Sequence, residues 1–480
     1  MGIASAINTT ASYYLCGIPE MGNTIRSLKS LQDGSILAEV AYADAAILER
    51  AIAAMSAVMP TMRKLSGIKR RRICETVYTG LLARQEDFAR MIAQEAGKPI
   101  KSARGEVGRA LTTFRLAMEE STRIGGEQLP VDIDERSEGY HCVIERIPAG
   151  PAVFITPFNF PLNLVAHKVA PALACGCPFV LKPSDRTPLT ALLLGELLAQ
   201  ADMPPGSWSI LPTAVENVKA MISDPRVRIV SFTGSVRVGW ALQAQAVGKR
   251  VLLELGSNSA VVVESDADIA DAVSRIIPAA FGYSGQSCIS VQRIYVHKNI
   301  APDVIARLVT AAKALRIGPP LDETTDVSCM IDEAAARRVA TWVQEALAAG
   351  ATLLCGGRRD GAWYYPTLLS HVPATARVAC EEVFGPVAII EEYDNFSAVL
   401  TKINASTLGI HAGVFTKDLF KARQAFETLE VGGVIINDVP TMRIDAMPYG
   451  GVKQSGLGRE GVRFAIEHLT ELKTLVTRYA

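Results

Sequence analysis

From residue 150 onward the chain keeps repeating one unit, a short apolar segment followed by a helical stretch of ten to sixteen residues. The apolar segments fall at 152–156, 179–181, 209–211, 229–232 and 251–254, and the alternation resumes at 260–263, 293–297 and 387–390. Segments so short and uniformly apolar suit strands covered on both faces, and the helices between them supply the crossovers of a parallel sheet. A length of 480 residues exceeds what one core usually accommodates. The expectation is therefore an α/β protein with two doubly wound parallel sheets. Before residue 125 the pattern is helical, over 45–59, 67–84, 86–96 and 104–123, with Asp44 as the N-cap of the first helix. Segments 140–146 and 472–478 alternate as strands do.

Charge and cysteine usage exclude several classes of function. Lys plus Arg and Asp plus Glu number 49 each, so no global field recruits nucleic acid or an anionic membrane. The N-terminus lacks the basic, apolar and small-residue order of a signal peptide, and no apolar run reaches the length of a membrane span. Nine cysteines and six histidines are dispersed without metal-ligand spacing, so no metal site is expected and a reduced, cytoplasmic enzyme is.

Ligands on a doubly wound sheet bind outside the carboxyl ends of its strands. Asn159, Lys182, Ser235 and Glu254 all stand just after, or at the end of, an expected strand. Thirty-four positions beyond Glu254 lies Cys288, in Gly285-Gln286-Ser287-Cys288. A thiol to attack a carbonyl and a carboxylate to activate water are the minimum for oxidising an aldehyde through a thioester. Read locally, each residue has a plainer alternative. Cys288 fits a buried structural thiol, Glu254 an acid closing a strand before a glycine turn, and Asn159 a turn beside Pro161.

The order and spacing of Pro157-Phe158-Asn159-Phe160-Pro161, Leu181-Lys182-Pro183-Ser184, Phe232-Thr233-Gly234-Ser235, Leu253-Glu254-Leu255-Gly256, Cys288 and Glu382-Val383-Phe384-Gly385-Pro386 resemble the NAD(P)-dependent aldehyde dehydrogenase superfamily. The resemblance runs from about residue 15 to the C-terminus. It implies a dinucleotide-binding domain over 1–127 and 149–255, a catalytic domain over 256–455, and an oligomerisation element over 128–148 and 465–480. It also implies Cys288 as nucleophile, Glu254 as the base that hydrolyses the thioester, and Asn159 with the Cys288 amide as an oxyanion hole. NAD, with NADP possible, would meet Ile155, Thr156, Lys182, Ser184, Asp185, Phe232, Gly234, Ser235, Glu382 and Phe384. The carboxylate of Asp185 suits ribose hydroxyls, while the neighbouring Ser184 and Arg186 leave tolerance of a 2′-phosphate open. Lys182 and Asp185 also fit an exposed pair in a loop. The match Gly456-Leu457-Gly458-Arg459-Glu460-Gly461 to a dinucleotide fingerprint is a decoy, since too little chain follows it for a βαβ unit.

The same alignment places Arg109, Phe158, Phe160, His167, Ser287, Arg443 and Tyr449 along the substrate tunnel. Two guanidinium groups there suit a carboxylate, phosphate, phosphonate or sulfonate, and 433–461 looks like the branch of lactaldehyde and phosphonoacetaldehyde dehydrogenases. Phe160 and Ser287 depart from the phosphonate pattern, which carries His and Arg at those places. The expected substrate is a small aldehyde with one anionic or hydroxylated end, handled by a homodimer or homotetramer. Either arginine can instead pair with a carboxylate such as Asp445, and His167 also reads as a packed histidine. Two further alternatives are acyl transfer to coenzyme A, and a retired enzyme kept as a structural or NAD-binding protein.

Overall fold

The computed structural model describes residues 9–479. Helices Ala45–Arg63, Gly67–Ala83, Gln85–Ala96 and Ile100–Glu120 form the helical part. Asp44 caps the first, its carboxylate accepting from the Ile47 amide at 2.9 Å. That helix runs past the expected end at residue 59 and through Pro60. Met59 and Met62 are buried, and their packing outweighs the amide donor that Pro60 lacks. The fourth helix starts earlier than expected, directly after Pro99.

An eight-stranded sheet forms the first core. Its parallel centre runs, in spatial order, Arg250–Glu254, Ile229–Thr233, Ala152–Ile155, Phe179–Lys182 and Trp208–Ile210. Antiparallel edges are added by Gly456–Leu457 on one side and by Tyr13–Leu15 with Ile18–Glu20 on the other. The chain builds outward from Ala152–Ile155 in one direction, then returns to that strand's other flank at Ile229. This strand-order reversal opens a crevice between the loops after Ile155 and after Thr233. Gly456 and Leu457 thus serve as an edge strand against Glu254 and Leu253, not as a phosphate loop.

The second, seven-stranded sheet runs Thr352–Cys355, Thr367–Ser370, Val387–Tyr393, Arg293–His297, Ala260–Val263, His411–Phe415 and Gly433–Ile436, parallel except for the first. Only five residues link Glu254 to Ala260, so the carboxyl end of one sheet faces the amino end of the other. A three-stranded sheet pairs Thr470–Arg478 with Tyr140–Pro148 over nine positions, with Glu127–Leu129 outside. Val143, Leu472, Leu475, Val476 and Tyr479 are exposed there.

Candidate active site

The loop that presents Cys288 is held under backbone strain. Tyr283, Ser284 and Gly285 have φ of 51°, 54° and 65°, three left-handed residues in succession. Such conformations persist only where surrounding contacts fix them. Tyr283 Oη donates to Ala96 O at 2.9 Å, Ser284 Oγ donates to Ser328 O, and Gln286 Oε1 accepts from the Ile331 amide at 2.9 Å. Gly285 is packed so closely that a Cβ would lie 2.1 Å from Gly385 O. Phe384, itself at φ 46°, meets Phe158 edge-on with centroids 5.9 Å apart.

Cys288 opens onto a cavity of about 410 Å³ between the two sheets. Asn159, Glu254, Gly234, Ser235, Glu382, Phe384, Arg109, Phe158, Phe160, Ser287, Arg443 and Tyr449 line it as well. Cys288 and Glu382 reach it from loops that enter the amino ends of second-sheet strands. The carboxyl-end rule therefore locates only the half of the site that the first sheet supplies.

Asn159 is buried, and its Nδ2 donates one hydrogen to Gln286 O at 3.0 Å. That bond fixes the amide against the Cys288 loop and leaves its second N–H free. Cys288 Sγ lies 3.1 Å from Tyr449 Oη. Burial pushes the thiol up to about 12, the Tyr449 hydroxyl opposes this, and the Glu382 and Glu254 carboxylates reinforce it. Glu254 ends its strand buried, and neither carboxylate oxygen has a hydrogen-bond partner. Burial, then Glu460, raise its carboxyl well above the ordinary range, against Arg443, Lys168 and Arg459. Burial also lifts Glu382 to about 7, although the Ser257 amide donates to it at 3.0 Å and Arg338 opposes the rise.

A dinucleotide fits the crevice side of this cavity. Helix Val236–Gln245 begins at Ser235 without a side-chain cap, so its first amides and positive end are open to a phosphate. Thr233 Oγ1 is buried without a partner beside it. Helix and strand approach so closely that a Cβ at Gly239 would strike Leu255 at 2.3 Å. Lys182 Nζ pairs with Asp185 Oδ1 at 2.6 Å beyond the next strand.

Several residues expected at the site do not line this cavity. Ile155, Thr156, Lys182, Ser184 and Asp185 stand outside the cavity lining, at or after neighbouring strand ends. Phe232 is a core residue whose ring packs under Gly234. His167 is displaced from the tunnel: it is fully buried, its Nε2 is 3.0 Å from Asp445 Oδ1, and burial lowers its ring to about 4, so it is neutral. The plainer alternative for Arg109 also holds, since its Nη2 and Nε meet the Asp445 carboxylate at 2.7 and 3.3 Å. Arg443 stacks 3.7 Å over the Tyr449 ring and pairs with Glu460 at 3.1 Å. Residues not anticipated include Thr233, Leu255, Gly256 and Arg338. Gly256 is a close approach, where a Cβ would lie 2.3 Å from the Glu382 carboxylate, and the glycine closing Leu253-Glu254-Leu255-Gly256 is the signal that could have found it. Arg338 gives no local signal, being one of two adjacent arginines on the amphipathic helix Glu333–Ala348.

The comparisons agree with this geometry. Residues 19–475 match the family described as the aldehyde dehydrogenase family. A 3-sulfolactaldehyde dehydrogenase of Priestia aryabhattai is 46% identical over 397 residues, 82% of this chain and 83% of that one. The structure of aldehyde dehydrogenase 21 from Physcomitrella patens, in complex with the reaction product succinate, superposes with a TM-score of 0.97 at 42% identity, covering 98% of this chain and 99% of that one. Glyceraldehyde-3-phosphate dehydrogenase from Methanocaldococcus jannaschii, complexed with NADP, gives 0.91 at 36% identity, covering 95% and 100%. With a thiol, an amide donor and an unpaired carboxylate around one cavity beside a dinucleotide crevice, the chain belongs to the aldehyde dehydrogenase family and is an NAD(P)-dependent aldehyde dehydrogenase.

Proposed function

We propose that the enzyme oxidises a small aldehyde carrying an anionic end, hydroxylated or not, to its carboxylic acid. The observation that carries the hydrolytic half of this reading is the Glu254 carboxylate, facing the same cavity as Cys288 with both oxygens unpartnered. The Cys288 thiol gives its proton to water, the sulfur adds to the aldehyde carbon, and the carbonyl π pair moves onto oxygen. The second Asn159 N–H and the Cys288 amide hold the developing oxyanion, an arrangement that contributes about 3 kcal/mol in comparable sites. The nicotinamide of NAD(P)+, which Glu382 and Phe384 would hold, would supply a hydride acceptor when bound, and the carbon carried on Cys288 would thereby reach the thioester level. Glu254 then takes a proton from water, the hydroxide attacks the thioester carbonyl, the C–S bond breaks, and the acid departs.

The anionic end is assigned to Arg443, with Arg109 beside it. Arg443 Nε is buried and makes no hydrogen bond, with Asp445 Oδ1 3.9 Å away, and its stacking on Tyr449 fixes the plane of the guanidinium. Relatives whose names specify 3-sulfolactaldehyde and a complex with succinate support an anion at this end. On the cofactor side, Lys182 and Asp185 would hold the adenosine ribose, Asp185 favouring NAD while Ser184 and Arg186 leave room for NADP. Glu382 would hold the nicotinamide ribose and Phe384 the ring. The exposed Leu472, Leu475 and Val476 on the small sheet support a homodimer or homotetramer, and the unpaired cysteines support a reducing, cytoplasmic setting.

The test is NADH and NADPH production across charged and uncharged aldehydes, in the native enzyme and in Arg443→Leu. The variant is expected to raise KM at least about tenfold for anionic aldehydes, the loss of one charge-assisted pair, and little for neutral ones. Equal effects on both would reject the anion assignment.

A further inference from the structure

Arg109 and Arg443 are shared by the inner cavity and by an outer vestibule of about 370 Å³, which also includes Arg275, Asp438 and Met442. The two guanidiniums therefore form the neck between solvent and the Cys288 chamber. They are not equally free. Arg109 lends its Nε and Nη2 to the two Asp445 oxygens, so the face that would clamp a ligand anion side-on is already filled. Asp445 itself is only 5% exposed and does not line the inner cavity. It is anchored from behind by His167 Nε2 at 3.0 Å, and Arg443 Nε is 3.9 Å away. Arg443 has its own carboxylate, Glu460, which it shares with Lys168. The vestibule adds no surplus cation, since Arg275 is tied to Asp271 and Asp438. The neck is built of cations each of which carries a resident anion.

We propose that Asp445 is a built-in counter-anion that sets how much negative charge the neck accepts, favouring singly charged aldehydes over doubly charged ones. The inference rests on the anion reading of this site given above. A carboxylate fixed on Arg109 repels any substrate anion in the neck, and Coulomb repulsion is proportional to the substrate's charge. A sulfonate or carboxylate feels it once and a phosphate dianion twice, while a hydroxyl does not feel it at all. Asp445 acts through Arg109 and through its field, and touches no reacting atom.

Three aldehydes on one three-carbon frame separate charge from shape: lactaldehyde, 3-sulfolactaldehyde and glyceraldehyde 3-phosphate. In the native enzyme kcat/KM is expected to be higher for the sulfonate than for the phosphate, a comparison that needs no variant. In Asp445→Asn, which keeps the shape and a hydrogen bond to His167, KM should fall about tenfold for the sulfonate and about a hundredfold for the phosphate, because the repulsion removed doubles with charge. KM for lactaldehyde and all three kcat values should stay unchanged, and Asp445→Glu should restore the native order. A common factor for all three aldehydes, or a rise in KM for the charged ones, would overturn the proposal while leaving an anion preference intact. Should the native enzyme use lactaldehyde as well as the sulfonate, the anion reading falls, and this inference with it.

Discussion

Cys288 rests as a thiol. Held up near 12 by burial, it is almost wholly protonated at neutral pH, and the thiolate population grows tenfold with each pH unit below that value. Alkylation by iodoacetamide in the absence of cofactor should therefore rise about tenfold per unit from about pH 7 to pH 10, read by mass spectrometry of the Cys288 peptide. A plateau already at neutral pH would contradict the burial argument. Glu254 carries the complementary expectation. Because its pKa is raised, the base form is lost at a higher pH than for an ordinary glutamate, so the acid limb of turnover lies above the normal carboxylate range. Glu254→Gln should lower kcat by at least about a hundredfold and leave an acyl-enzyme adduct on Cys288. Normal steady turnover in that variant would remove Glu254 from the mechanism.

The element that most constrains the site is the left-handed turn before Cys288. Its three positive φ values and the Gly385 contact leave no room for a side chain at Gly285. Gly285→Ala should cost about 2 kcal/mol or more in urea unfolding and lower kcat by displacing Cys288 and the Asn159–Gln286 bond. A variant with native stability and rate would mean that the loop has slack. The first-sheet half of the site was legible at this scale, because strand–turn–helix spacing puts Asn159, Ser235 and Glu254 at strand ends. Cys288 and Glu382 were not placed by that logic, since they sit on loops that run into strands. Their positions follow from which end of the second sheet faces the first, and no local periodicity encodes that.

Across the whole molecule the C-terminal strand returns to pair with Tyr140–Pro148, more than 300 residues earlier, and leaves apolar side chains exposed on both faces of the small sheet, Leu472 and Val476 on one and Leu475 on the other. If this sheet joins protomers, replacing Leu472 and Leu475 with Asp should shift the enzyme to monomers in analytical ultracentrifugation, with the far-ultraviolet spectrum unchanged. An unaltered sedimentation profile would show that assembly uses another face. The C-terminal part of the chain also brings Gly456 and Leu457 beside Glu254, Tyr449 to the cavity wall, and Asp445 and Glu460 onto the arginines that line it.

The amino-acid order by itself determined the α/β class, the parallel sheets and the chemical types present, because alternation, turn residues and motif spacing are properties of short stretches. Only the tertiary structure decided which charges remain available. His167 and Arg109 read identically whether they meet substrate or Asp445, since ion-pair partners are chosen by proximity after folding. The partners here lie 278 and 336 positions away.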